Sequence, residues 1–178
     1  MVHRRLRPEE FGGRVEVVRR RLANYPIHQD LFRATVLDAI SDRTGNHLLP
    51  MAFPEGSPVH PAYGSGHATV AGACVTILKW FFNGDETVKN PVQVSSDGRT
   101  LEPFVGPPLT VNGELNKIAS NVATGRNIAG VHWRTDAVEA IRLGEAIAIS
   151  ILRDQKDTYE EPFDGLTIRK FDGTTIRI

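Results

Sequence analysis

The chain has 178 residues, of which 40% are hydrophobic and 24% charged, and its 21 Lys and Arg balance 21 Asp and Glu for a formal net charge of zero. That length suits one hydrophobic core rather than two domains. The even charge balance supplies no field that would draw the chain to nucleic acid or to an anionic membrane, so neither is expected as a partner. A single cysteine, Cys74, excludes an internal disulfide framework and a metal site built from several thiolates.

No run approaches the roughly 18 apolar residues of a membrane span. The opening MVHRRLRPEE lacks the apolar stretch of a secretory signal. The compartment stays open.

In chain order, a first amphipathic helix is expected over about residues 8–24, where Pro8 suits a first helical turn and Glu9 and Glu10 suit its positive end. A second is expected from about Asp30 to Ile40. The segment SDRTGNHLLPMAFPEGSPVHPAYGSG carries too many Pro and Gly for regular structure and reads as a long functional loop. It runs into GHATVAGACVTILKWFF, apolar almost all the way round, which predicts a central, buried helix with Cys74 as a small packing residue.

Residues 83–112 read as short strands and turns inserted between helices. Two more helices follow. In GELNKIASNVATGR, Leu115, Ile118, Ala119 and Val122 form an apolar stripe; in TDAVEAIRLGEAIAISILRD, Ala137, Ile141, Gly144, Ala148 and Ile151 share one side, with Glu145 largely elsewhere. The tail repeats FDGLTIR as FDGTTIR, which predicts a C-terminal β ribbon around Asp-Gly turns.

Candidate chemistry collects at the ends of these helices. Arg126 continues the Leu115 stripe at helical spacing, which aims a guanidinium toward the core. A buried Arg needs an acidic partner, a route to water or a bound anion. His132 follows, with Asp136 four residues on; Asp136 is also an N-cap candidate. A carboxylate reaching Nδ1 of His132 fixes the tautomer and leaves Nε2 free to bind or attack an electrophile.

Ser65-Gly66-His67 offers a hydroxyl and backbone N–H groups at a helix N-terminus, a ready anion cradle. Arg7, followed by Pro8, supplies another fork-shaped cation. His3, Arg4 and Arg5 read as a solvated basic face.

Taken together, Arg7-Pro8, Gly64-Ser65-Gly66-His67 and the stretch GRNIAGVHWRTD resemble the signature of the vanadium-dependent haloperoxidases, and of the type 2 phosphatidic acid phosphatase superfamily that shares their site. The resemblance implies a mainly α fold: a helical-bundle core of the haloperoxidase type over residues 1–157, with short β insertions, and a β-rich tail over 158–178. It implies a vanadate cofactor, with phosphate able to take the same site. Arg7, Ser65, Gly66 and Arg126 would bind the vanadate oxygens, His132 would bind vanadium, and His67 would be the acid–base histidine. His60 resembles the second active-site histidine of the algal bromoperoxidases, and Asp136 would orient His132.

The implied reaction is oxidation of halide by hydrogen peroxide to hypohalous acid, which passes to small organic acceptors, in a homo-oligomer. The same constellation suits an acid phosphatase with His132 as nucleophile, and a third possibility is an inactive piece serving only in assembly.

Three departures stand out. Gly64 replaces the usual Pro, Gly125 replaces a Ser beside Arg126, and the family Lys, expected eight positions before Arg7, falls before Met1. The resemblance therefore implies the C-terminal part of a longer haloperoxidase. It also implies weaker vanadate binding without that Lys, since a lost charge-assisted contact costs roughly 1.5–3 kcal/mol.

Overall fold

The computed structural model describes residues 3–178. Its elements run α1 (Pro8–Arg19), a 3-10 turn (Gln29–Arg33), α2 (Thr35–Thr44), α3 (Gly66–Phe81), β1 (Val92–Val94), β2 (Leu101–Pro103), α4 (Val111–Ile128), α5 (Arg134–Lys156), β3 (Thr167–Arg169) and β4 (Thr175–Arg177). The mainly helical expectation holds, with two small antiparallel sheets, β1 with β2 and β3 with β4. Contacts divide the chain into two compact units. The first joins the residues up to His67 with Ala123–Glu139, and the second joins Ala68–Val122 with Ala140–Ile178.

In the first unit, α1 starts as its sequence dictates, with Pro8 at the first turn, Glu9 and Glu10 behind it and Arg7 in extended conformation as N-cap. The helix then anchors the long loop. Glu16, buried, accepts the His47 N–H at 2.7 Å and lies 2.9 Å from His47 Nδ1, and these bonds hold its carboxyl below the usual range. Glu9 accepts the Ser57 N–H at 2.7 Å.

The helix expected over 30–40 divides into the 3-10 turn and α2, with Ala34 extended between them. Only Leu37 of α2 is buried, so no long apolar face offsets the entropy of a continuous helix. Gly45, with φ at +72°, ends α2 in the left-handed conformation that glycine adopts at least cost.

In the second unit, two glycines set the packing of α3 on α5. A Cβ on Gly72 would strike the Ile141 carbonyl, and one on Gly144 would strike the Thr69 carbonyl. From α3, Ala71 and Val75 pack with Leu115 and Ala119 of α4. The C-terminal ribbon pairs Ile168 with Ile176 and buries Ile168 and Ile178 against Ile149 and Leu152 of α5. Each fully buried aliphatic side chain contributes about 1.5–3 kcal/mol there, enough to hold a short hairpin that is marginal alone. Only the second Asp-Gly pair makes the hairpin turn: Gly173 has φ at +85°, and Asp172 accepts the Thr174 N–H at 2.9 Å.

The helix faces differ from expectation in three places. On α3, Ala68, Ala71, Gly72 and Val75 are buried, while Val70, Ile77, Phe81 and Cys74 are exposed, so the helix is one-sided and Cys74 is not a packing residue. The α4 stripe splits into buried Leu115 and Ala119 and exposed Ile118 and Val122. On α5, Ile151 is exposed, whereas Glu145 is buried and accepts the Phe171 N–H at 2.7 Å. Among the described residues, no helix is long and apolar enough to cross a membrane.

Candidate active site

Every residue singled out for chemistry falls in the first unit. Three stretches deliver them: the extended residues before α1, the loop entering α3, and the turn from α4 into α5. That turn depends on Gly130, whose φ is +78° and whose N–H bonds to the Asn127 carbonyl at 3.0 Å; the Val131 N–H returns to the Arg126 carbonyl at 3.2 Å. This glycine-assisted helix end brings Val131 and His132 back along the chain.

Arg7 is buried and bridges two of the stretches. Its Nε donates to the His60 carbonyl and Nη1 to the Val131 carbonyl, both at 2.8 Å, and Nη1 lies 3.4 Å from Nε2 of His132. Nη2 is 3.1 Å from Nδ1 of His60. His60 itself is exposed, so its ring joins a buried guanidinium to the surface.

His132 is buried, with Nδ1 3.4 Å from Oδ2 of Asp136. Burial first, then the charge of Arg7, push its pKa below the ordinary histidine value; the Asp136 hydrogen bond pulls the other way and Arg126 adds to the depression. The network assigns a neutral ring that carries its proton on Nδ1, toward the carboxylate, and keeps its lone pair on Nε2. Burial, followed by the charge of Arg126, also lowers the pKa of Arg7.

Asp136 has no solvent exposure and sits in the first turn of α5, not at its cap. Its Oδ2 accepts the Trp133 N–H at 3.0 Å, the reach of a third-position carboxylate back to the start of its helix.

Ser65 is fully buried immediately before α3, and Gly66 opens that helix. His67 is exposed in the first turn of α3. Arg126 is half-buried in the last turn of α4, and its Nε is buried without a hydrogen-bond partner among the described residues. The structure thus joins Arg7, His60, His132 and Asp136 by direct contacts and Arg126 by its charge. Ser65, Gly66 and His67 stand in the same unit at the α3 start.

Two neighbours were not legible as site residues. Trp133 donates its indole N–H to the Leu6 carbonyl at 2.7 Å and packs edge-on against Phe11, tying the segment before α1 to the histidine turn. Arg5, where the basic run predicts a solvated face, donates instead from Nη1 to Thr135 Oγ1 at 2.7 Å and to Asp136 Oδ1 at 3.2 Å. Neither has a spacing signal, since both contacts span more than a hundred residues. Arg4, Arg5, Arg7, Ser57 and His60 line a cavity of about 490 Å³. A separate cavity of about 400 Å³ in the second unit, lined by Lys79, Trp80 and Asn112 among others, contains none of the expected site residues.

The class of protein this defines is a helical-bundle protein in which a buried Arg and a buried carboxylate flank one histidine. Residues 26–161 match the family model described as the VCPO second helical-bundle domain, and the chain belongs to the vanadium-dependent haloperoxidase family. It is 46% identical over 198 residues to a vanadium-dependent bromoperoxidase of Corallina officinalis, and 36% identical over 189 residues to one of Ascophyllum nodosum; both alignments cover 99% of this chain. They cover 33% and 34% of those proteins, so the chain spans about a third of the length of the relatives it matches. Among solved structures, the homohexameric second vanadate-dependent bromoperoxidase of Ascophyllum nodosum superposes with a TM-score of 0.87 at 37% identity, covering 98% of this chain and 35% of that one.

Proposed function

We propose that this chain carries the vanadate site of a haloperoxidase, most simply a bromoperoxidase, that oxidises halide with hydrogen peroxide. The observation that carries the reading is His132. A neutral imidazole with its proton on Nδ1 toward Asp136 and a lone pair on Nε2 beside Arg7 is the state a metal ligand requires. The buried Nε of Arg126, without a partner among the described residues, fits an oxyanion as its acceptor.

In this reading His132 Nε2 would ligate vanadium, and Arg7, Arg126, the Ser65 hydroxyl and the Gly66 N–H would hold the oxygens. Gly66 opens α3, so the helix dipole adds to the attraction for negative charge. Bound vanadate supplies a Lewis-acidic centre that activates peroxide for two-electron oxidation of halide. Asp136 holds the Nδ1 proton and so the orientation of the ring. His67, open to solvent in the first turn of α3, would exchange a proton with water at a ring nitrogen. His60 lies against Arg7 and tunes that guanidinium from the surface side. Fixed cations need no reorganisation as charge develops, which is the protein's contribution to rate.

The same His132–Asp136 pair suits a phosphatase nucleophile, so the assay has two arms. The full chain, loaded with orthovanadate, is expected to brominate a phenolic dye with peroxide and bromide, and His132→Ala to abolish it. Hydrolysis of a nitrophenyl phosphate without bromination would overturn the reading in favour of the phosphatase. Neither activity, with no vanadate binding, would leave the assembly role. A homo-oligomer is part of this proposal, supported by the exposed Ile118 and Val122 of α4 and Leu143, Ile147 and Ile151 of α5.

A further inference from the structure

We infer that Arg5 is a positioning residue for His132, acting through Asp136; the inference rests on the vanadate reading above. The Asp136 carboxylate is wholly buried, and its two oxygens are divided between partners. Oδ2 takes the Trp133 N–H at 3.0 Å and faces His132 Nδ1 at 3.4 Å, while Oδ1 takes Arg5 Nη1 at 3.2 Å. Without a donor on Oδ1, the carboxylate can turn about its Cβ–Cγ bond. It then ceases to present one fixed oxygen to Nδ1, and the imidazole loses the contact that aims Nε2. A buried carboxylate with one oxygen unpaired is also costly, so it will seek another donor.

Arg5 is itself fixed. Its Nη1 is shared with Thr135 Oγ1 at 2.7 Å, its guanidinium lies 5.9 Å from the Trp133 ring centroid, and its carbonyl accepts the Ala62 N–H at 3.0 Å. The last bond ties the same residue to the loop that precedes Ser65. Arg5 therefore bridges Asp136 and that loop, while Arg7 bridges the loop and His132 from the other side. The Arg5 side chain is 43% exposed, so a substitution there removes the contact without emptying the core.

The test compares the full chain with Arg5→Ala, Arg5→Lys and Arg4→Ala. Arg4 is exposed, so Arg4→Ala removes an equal charge close by without touching Asp136. Two readouts are needed: orthovanadate affinity by ⁵¹V NMR titration, and the ¹⁵N shifts of the His132 ring without vanadate. Arg5→Ala is expected to weaken vanadate about tenfold and to move the ring signals from one tautomer toward an average. Arg5→Lys should recover part of both, and Arg4→Ala should leave the ring signals where they are.

Equal affinity and unchanged ring signals in Arg5→Ala would overturn the inference, as would equal effects of Arg4→Ala and Arg5→Ala on the ring. If the unsubstituted chain binds no vanadate, the cofactor reading falls, and the ring signals alone decide the role of Arg5. If circular dichroism shows Arg5→Ala unfolded, Arg5→Met, which keeps the length of the side chain but carries no donor, decides it: ring signals of the unsubstituted chain in that variant would overturn it.

Discussion

Replacing Lys79 by Met is expected to stabilise the protein, and to do so in a pH-dependent way. Lys79 lies on α3 with only 3% of its surface exposed; its Nζ donates no hydrogen bond among the described residues and sits 3.7 Å from the centroid of the Phe171 ring. Burial lowers its pKa from 10.5 to about 8, against the opposing attraction of Glu145 and Asp172. At about 1.4 kcal/mol per tenfold change in the protonation equilibrium, that fall sets about 3 kcal/mol against the charged form at neutral pH. The cation–π contact returns about 1–2 kcal/mol. A methionine of similar length keeps the packing and removes the charge, so a net gain of roughly 1–2 kcal/mol is expected at pH 7.

The sign of the pH effect follows from proton counts. Below pH 8 both folded and unfolded chains hold the Lys79 proton, and the penalty is fully present. Between pH 8 and 10.5 the folded chain releases the proton first, so the unsubstituted protein gains on Lys79→Met and the gap closes. Urea denaturation of both proteins at pH 7, 9 and 10.5 measures that gap. A substituted protein that is less stable at pH 7, by an amount constant with pH, would refute the reasoning.

Two further substitutions test the packing. Gly144→Ala puts a methyl group into the Thr69 carbonyl, a backbone atom that cannot rotate away. The separation it forces between α3 and α5 should outweigh the better helix propensity of Ala and cost at least about 2 kcal/mol, a drop of about 4–8 °C in melting temperature by calorimetry. Gly125→Ala lies in α4 with nothing within 4 Å of the new Cβ, so only the propensity gain remains; urea denaturation should show about 0.5–1 kcal/mol of added stability.

The residues that were legible in the sequence are those whose chemistry constrains both type and place. Pro8 with two acids announces the start of α1, and Ser65-Gly66 announces the start of α3. His132 with Asp136 four residues later is a helix-start geometry that the structure realises through the Trp133 N–H. Helix ends are local, so a local pattern finds them. Arg5 has no such pattern: what recruits it is a buried carboxylate 131 residues away, whose second oxygen needs a donor. Only the fold that brings residues 5 and 136 together makes that donor visible.

The faces of α3 and α5 were illegible for a related reason. Apolar periodicity shows that a side is hydrophobic, but α3 is hydrophobic on nearly every side, and the choice among sides is made by backbone approach. Gly72 and Gly144 admit a neighbouring carbonyl where any Cβ would exclude it, and that contact fixes which way Val75 and Lys79 turn. The buried Lys79 then follows from register rather than from preference, and its depressed pKa is what that register costs in electrostatic free energy. Glu145 lies one position after Gly144, so the same close approach carries it inward, where the Phe171 N–H of the ribbon becomes its donor. Small residues, silent in a hydropathy pattern, thereby decide where two buried charges of the second unit must be satisfied.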